Sequence, residues 1–516
     1  MSTFTNTDPW GVQNSTDGSE QTPEIDSEPS YSQRQMRKLA LLAALTAIAA
    51  SATDWTRYRG PNGTGVSPDK GVPTEIGPDK NLAWKAKTPK GNSSPVVLNG
   101  RIYLTAEEGD NRILLSIDAK SGTEIWRKSV QKLRTEVGNP VNGNATPTPA
   151  TDGQSLFVFF PEVGLLGFDT DGKELWRVAL GPFGGIQGMA VSPVYAEGNV
   201  ILLIDTAQQA SITAYDARSG KQVWKADRPI GFLGSYSTPS LHRTNGRTEV
   251  IVAGAVELTS YDAKTGNRIW WARGVTYGPA ALPLVTGDSV YTVEPADSGS
   301  PTFTQFSGPY DKNKDGKVEL TEAAGERLND KIMYRLFASM DKNSGNNDGV
   351  VTENEFNAAF NPDPRPGGLV RTKLGGKGDV SKTHIVWRHT KGLPYVTAPL
   401  VYQGIMYIVR DGGILSAFDP ETGKVLHEGR LKDAIGAYYA SPVAADGKIY
   451  FVSKEGKLTV IKPGAPWEVL ASADLAEQVI ATPAIAGDRI YVRTEGYLYA
   501  FGAAGARPAT PPTAGE

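Results

Sequence analysis

The sequence predicts an all-β protein, an eight-bladed β-propeller with a small helical insertion in its fifth blade. Three observations predict it. A small residue followed by proline recurs eight times, at Ser94-Pro95, Thr146-Pro147, Ser192-Pro193, Thr238-Pro239, Gly278-Pro279, Ala398-Pro399, Ser441-Pro442 and Thr482-Pro483. All but one of these pairs are about 40 to 52 residues from the next, the period of a propeller blade. The long interval, Pro279 to Pro399, exceeds the period by roughly 75 residues and holds two acidic loops flanking a helical pattern.

Composition bounds the chemistry. The 516 residues include 57 Gly and 35 Pro, and apolar content is 39%, which suits a turn-rich β protein. Net charge is −3 with no long basic run, which argues against a nucleic-acid partner. Cysteine is absent. That excludes disulfides, thiolate catalysis, iron–sulfur clusters, Cys-ligated zinc, c-type haem attachment and a lipidated cysteine anchor.

Along the chain, residues 1–35 form a polar N-terminal extension. Residues 36–52 have the form of a signal peptide: Arg37 and Lys38, an apolar run Leu39 to Ala50, and an Ala50-Ser51-Ala52 cleavage site. Met36 is a candidate true start. The run is too short to span a bilayer stably, so the expectation is an exported protein, periplasmic or extracellular, with no stable membrane span. Propeller follows over 53–295 and 383–502, interrupted by the insertion at 296–382. Residues 503–516 form a Pro/Ala/Thr tail with too little apolar content to pack.

Each repeat begins with runs of alternating character, such as Val96-Val97-Leu98 and Arg101-Ile102-Tyr103-Leu104, joined by turns such as Asn99-Gly100 and Asp446-Gly447. It closes on Asp-x3-Gly-x3-Trp, seen at Asp118, Gly122, Trp126, at Asp216, Gly220, Trp224 and at Asp262, Gly266, Trp270. Asp169, Gly172, Trp176 is one residue shorter, and Asp419, Gly423 leads to His427. The Asp can bond the turn backbone and the Gly supplies positive φ. The Trp then opens the outer strand, where its ring meets a neighbouring blade and its indole N–H needs an acceptor. Trp84, Trp126, Trp176, Trp224, Trp270, Trp387, His427 and Trp467 are the eight expected occupants. The last unit lacks an outer strand, whereas Leu82 to Lys87 precedes the first unit, so this strand is expected to complete the C-terminal blade.

With this signature the chain resembles the pyrroloquinoline-quinone (PQQ) propeller superfamily and its tryptophan-docking motif, over about residues 54 to 502. The opening Trp55-Thr56-Arg57-Tyr58-Arg59-Gly60-Pro61 resembles the leader of many secreted bacterial members. The superfamily includes quinoprotein alcohol dehydrogenases and non-catalytic relatives such as the outer-membrane-protein assembly lipoprotein. The resemblance therefore implies the fold and leaves function to the site.

The insertion carries metal-ligand chemistry. Asp311, Asn313 and Asp315 with Lys317, Glu319 and Glu322 match positions one, three, five, seven, nine and twelve of an EF-hand loop, Lys317 through its carbonyl, with Gly316 at the sharp turn. Oxygen ligands at this spacing suit Ca²⁺. A second loop resembles the first stretched by three residues, with Asp341, Asn343, Asp348 and Glu355 as candidates. Val318 and Val351 are expected to join the loops by a short β-bridge, and Leu328, Ile332, Leu336 and Phe337 mark the helix between them.

No catalytic residue is assigned. The dehydrogenases the chain resembles carry an adjacent cysteine pair beside the quinone, and this chain has none. Glu294, Asp297 and Asp411 lie near unit openings without a motif, and His242, His384, His389 and His427 have no metal-ligand spacing beyond the pair 384 and 389, read as structural. The expectation is a binding or scaffold propeller that takes Ca²⁺ in its insertion and a protein or glycan partner on one face. The alternative is a PQQ- and calcium-dependent dehydrogenase of alcohols or sugars, with PQQ possible but not expected.

Overall fold

A computed structural model of the chain describes residues 53–136, 142–183, 188–206, 209–229, 234–295, 302–326, 328–360 and 367–502. The polar extension, the expected signal peptide and the C-terminal tail lie outside the described residues, as do Asp297 and the side chains of Leu328, Ile332 and Asn343.

Among the described residues eight sheets form the ring, each with four antiparallel strands, and the fourth gains a short fifth strand, Gly378–Asp379, in parallel. Their blades span 96–131, 150–179, 194–227, 240–273, 284–292 with 369–389, 400–430, 443–474 and 484–501. Leu82–Lys87 supplies the fourth strand of blade eight, with Trp84 opposite Ala500, so the two ends of the propeller close the ring as expected. Strands on the inside of each sheet are covered by blades on both faces and read as continuous apolar runs; Asn199–Asp205 is buried throughout. Outermost strands alternate, as in Glu124–Gln131. The apolar core consequently lies between blades: Tyr103 and Leu114 of blade one pack with Val158, Phe160 and Phe168 of blade two.

The Trp motif is the joint between blades. Indole Nε1 of Trp84, Trp126, Trp176, Trp224 and Trp387 donates to Ala119, Thr170, Ala217, Ala263 and Pro420 carbonyls of the following blade at 2.9–3.2 Å. The receiving turn needs glycine for two reasons. At Gly220 φ is +69°, and a Cβ there would stand 2.6 Å from the Trp176 ring. Asp118 Oδ1 shows what the acid does: it accepts the N–H groups of Lys120 and Ser121 at 3.1 and 2.7 Å and fixes the turn.

Four readings of the repeat are corrected. In blade two the strand opens after Thr148-Pro149, not Thr146-Pro147; the tandem Thr-Pro pairs fit the period equally well. In blade five it opens after Leu282-Pro283, not Gly278-Pro279, because a leucine replaces the small residue. Trp467 does not occupy a docking position. Register places Ala471 there, opposite Val460, while Trp467 lies in blade seven's turn and receives His427 edge-on at 4.6 Å. Trp270 keeps its position, but no glycine of the blade-five hairpin abuts its ring, and its Nε1 reaches the Glu249 carboxylate of its own blade at 3.3 Å. Gly378–Asp379 covers that seam by pairing in parallel with Trp270–Trp271.

The insertion joins the second and third strands of blade five, between Thr292 and Leu369. The boundary at 382 was therefore too late: Leu369–Lys373 is a blade strand, and the Gly375-Gly376-Lys377-Gly378 segment belongs to the hairpin after it. Among the described residues the insertion has four helices: α1 (Phe303–Ser307), α2 (Leu320–Ala323), α3 (Leu328–Ser344) and α4 (Glu353–Phe360). They enclose a separate core of Phe303, Phe306, Leu336, Phe337 and Phe356, against which Tyr277 of the ring also packs. Val318 pairs with Val351 across a two-residue antiparallel bridge.

Candidate functional site

Residues 55–66 cross the central channel as a plug. Trp55 pairs with Val97 of blade one, and Thr56 accepts from Thr151 of blade two. Arg57 Nη2 donates to the Pro239 carbonyl of blade four at 2.6 Å. Arg59 donates to the Pro399 and Pro442 carbonyls of blades six and seven at 3.1–3.3 Å. Ala444 of blade seven then bonds both flanks of Val66, its N–H donating to the Gly65 carbonyl and its carbonyl accepting the Ser67 N–H. Burial lowers both guanidinium pKa values to about 10, which leaves them cationic at neutral pH. Proline suits each strand opening because it has no N–H to leave unpaired, and the carbonyls of Pro239, Pro399 and Pro442 receive the plug.

Next to the plug lies an axial cup of about 270 Å³. Tyr58 enters it from the plug, and Tyr236, Tyr395 and Tyr439 enter it from the segments ahead of the inner strands. Its wall carries the hydroxyls of Ser94, Thr148, Ser192, Thr238 and Thr482. These belong to a blade-to-blade relay in which the N–H of Ser94, Thr148, Ser192 and Ser441 donates to the hydroxyl of Thr148, Ser192, Thr238 and Thr482, each at 2.9–3.0 Å. Among the described residues the lining holds no Asp, Glu, Lys, Arg, His or Trp. Burial pushes the Tyr236 phenol up to about 12, so it stays neutral.

That lining does not fit PQQ. The quinone carries three carboxylates, and an anion seated there would give up hydration with no cation in direct contact. The candidate carboxylates lie elsewhere. Glu294 accepts the N–H groups of Tyr277 and Gly278 at 2.7 and 3.0 Å at the root of the insertion, and Asp411 accepts Tyr438 N–H at 2.8 Å. His384 bonds Thr383, His389 bonds the Lys391 carbonyl, and His427 meets Trp467, all structural contacts.

The two acidic loops are built alike. Asp311 accepts the N–H groups of Asp315 and Gly316 at 3.1 and 3.0 Å. Asp341 does the same for Asp348 and Gly349 at 3.0 and 2.9 Å. Asn313 Oδ1 accepts Asp315 N–H in one loop and Asn346 Oδ1 accepts Asp348 N–H in the other. Glu322 reaches back to Asn313 and Glu319, and Glu355 to Asn346 and Thr352. The extra three residues of the second loop are absorbed by α3, which runs on to Ser344 and carries Asp341 on its last turn. Asn343 therefore falls within α3, and Asn346 takes the position expected of it. Counting back from Asp348-Gly349 gives Asn346 directly.

Among the described residues no three His, Asp or Glu side chains are already gathered into a metal cluster. In both loops the carboxylates rest on loop N–H groups, with the side-chain oxygens of Asn313 and Asn346 beside them. The donor set is all oxygen. Glu319 is raised above the ordinary carboxylate range, chiefly by a side-chain hydrogen bond shared with Glu322.

A tryptophan-docked propeller with a neutral axial cup and two matched acidic loops defines the class: a PQQ-repeat β-propeller. The family described as outer membrane protein assembly factor BamB matches residues 69–200, 110–293 and 378–507, and the chain belongs to it. A BamB from Bordetella pertussis is 27% identical over 208 residues, 40% of this chain and 46% of that protein, so the match spans about half of the relative's length. One from Shewanella oneidensis is 21% identical over 411 residues, 74% of this chain and 88% of that one. A tetrathionate hydrolase from Acidithiobacillus ferrooxidans is 24% identical over 401 residues, 70% and 71% of the two chains. Among solved structures, the quinohemoprotein alcohol dehydrogenase of Comamonas testosteroni superposes with a TM-score of 0.56 at 14% identity, covering 91% of this chain and 83% of its own, a likeness of fold. Among the described residues no helix is long and apolar enough to cross a membrane.

Proposed function

We propose that this chain is an exported propeller that holds other proteins together in the manner of an assembly factor, and that its insertion is an EF-hand pair binding two Ca²⁺ ions. The family match across both parts of the ring supports the scaffold reading. The observation that carries the calcium reading is the atom-for-atom agreement of the loops, Asp311 with Asp341, Asn313 with Asn346, Asp315 with Asp348 and Glu322 with Glu355. Two loops of different length reach one arrangement, and its oxygens are those that a calcium loop uses. Position nine differs, Glu319 against Thr352, so the first loop offers one more carboxylate among its candidate ligands.

Calcium here acts as a staple. Extracellular sites bind at about 10⁻⁴ to 10⁻³ M, matched to abundant calcium outside the cell. The test is in-cell cross-linking of the full chain followed by identification of its neighbours, with calcium and with chelator. Outer-membrane assembly proteins recovered with calcium support the reading. A chain that cross-links only to itself under both conditions contradicts the scaffold.

A further inference from the structure

We propose that the axial cup binds a neutral saccharide, its pyranose ring stacked on tyrosine and its hydroxyl groups received by the ring of serine and threonine hydroxyls. This stands apart from the protein-partner reading and uses a different part of the molecule.

The donors are built in. Thr148, Ser192 and Thr238 each spend one lone pair on the N–H of the preceding blade. Their own O–H protons meet no acceptor among the described residues, although all three side chains are buried and line the cup. A serine or threonine hydroxyl has one donor and two lone pairs, so each keeps a donor and an acceptor to offer. The same relay runs from Ser441 to Thr482 on the other side of the ring. Convergent hydroxyls able both to give and to take hydrogen bonds match a polyol, in which every oxygen does the same.

The aromatic part is also present. Tyr58, Tyr236, Tyr395 and Tyr439 bring flat apolar faces with polar tips to the cup. Tyr395 is 57% exposed, a large ring held in water with open access. The volume of about 270 Å³ is close to the lower limit of roughly 300 Å³ for drug-sized pockets, which suits one or two sugar rings. Charge decides between a neutral sugar and an organic anion. Among the described residues no ionic side chain lines the cup; Arg57 and Arg59 lie outside its lining with Nη groups on the Pro239, Pro399 and Pro442 carbonyls, although Arg57 Nε and Nη1 and Arg59 Nε meet no partner. An anion would lose water and gain no direct partner.

The experiment is saturation-transfer NMR on the full mature chain with methyl α-D-glucopyranoside, methyl β-D-galactopyranoside, maltose and sodium glucuronate. Affinities are titrated for the wild type and for Tyr395→Ala and Tyr439→Ala. At least one neutral glycoside is expected to bind with a dissociation constant of about 1 mM, the range of a small open site. Each variant is expected to weaken it about fivefold or more while the melting temperature stays put. Three results overturn the proposal: no neutral glycoside binding, binding that both variants leave unchanged, or glucuronate binding where the glycosides do not.

Discussion

The glycine of each docking turn is chosen by its neighbour as much as by its backbone. Gly220 and Gly198 share a left-handed conformation, φ +69° and +77°, but a Cβ at Gly220 meets Trp176 whereas one at Gly198 meets nothing. Alanine at either position costs about 1–2 kcal/mol for the backbone, and at Gly220 crowding adds about 1–3 kcal/mol. Chemical denaturation of Gly220→Ala and Gly198→Ala should separate the two costs; equal losses would mean that the Trp contact is not tight. Glu294 is the second residue with a measurable signature. Burial raises its pKa from 4.5 to about 7, against the opposing pull of two N–H bonds and of Arg388. Between those values the native state keeps a proton that the unfolded chain has released, so stability falls as the pH rises through this window and levels off above about 7. The difference is worth about 3 kcal/mol. Melting temperatures of wild type and Glu294→Gln from pH 5 to 8 should show a slope in the first and a flatter line in the second. Parallel curves would mean that the carboxyl is ionised throughout.

At the scale of elements, the second acidic loop shows how an insertion is tolerated. The helix takes up the added residues, Asp341 stays within reach of Asp348 and Gly349, and Asn346 replaces Asn343. Asn346→Ala should weaken the second calcium site about tenfold, the ~1.4 kcal/mol of one neutral ligand, and leave the first unchanged. Asn343→Ala should leave both unchanged. The reverse pattern in calcium titrations would restore the simpler alignment. Legibility follows the same physics. Blades whose joints repeat one chemistry, Asp, Gly and Trp at fixed spacing, were readable from the sequence. The opening of blade five was not legible because Leu282 stands where a small residue is expected, and Trp467 misleads because it lies in blade seven's turn, where it receives His427, while Ala471 fills the docking register. The first acidic loop was readable because its residues are contiguous. The cup was not, because it draws single Ser, Thr and Tyr residues from positions as far apart as Tyr58 and Thr482.

For the whole molecule, two neighbouring N-terminal segments do different work on the ring. The strand Leu82–Lys87 closes the circumference, and the segment just before it closes the channel with Arg57 and Arg59 tied to three blades. The ring is held this way without disulfides, since the chain has no cysteine. The insertion is a separate helical core seated on blade five, and calcium is the component that the account assigns to it. Isothermal titration of the metal-free mature protein with Ca²⁺ tests that assignment most directly. Two sites are expected, falling to one in Glu322→Gln and to one in Glu355→Gln. No binding to the wild type, or an unchanged stoichiometry in both variants, would contradict it.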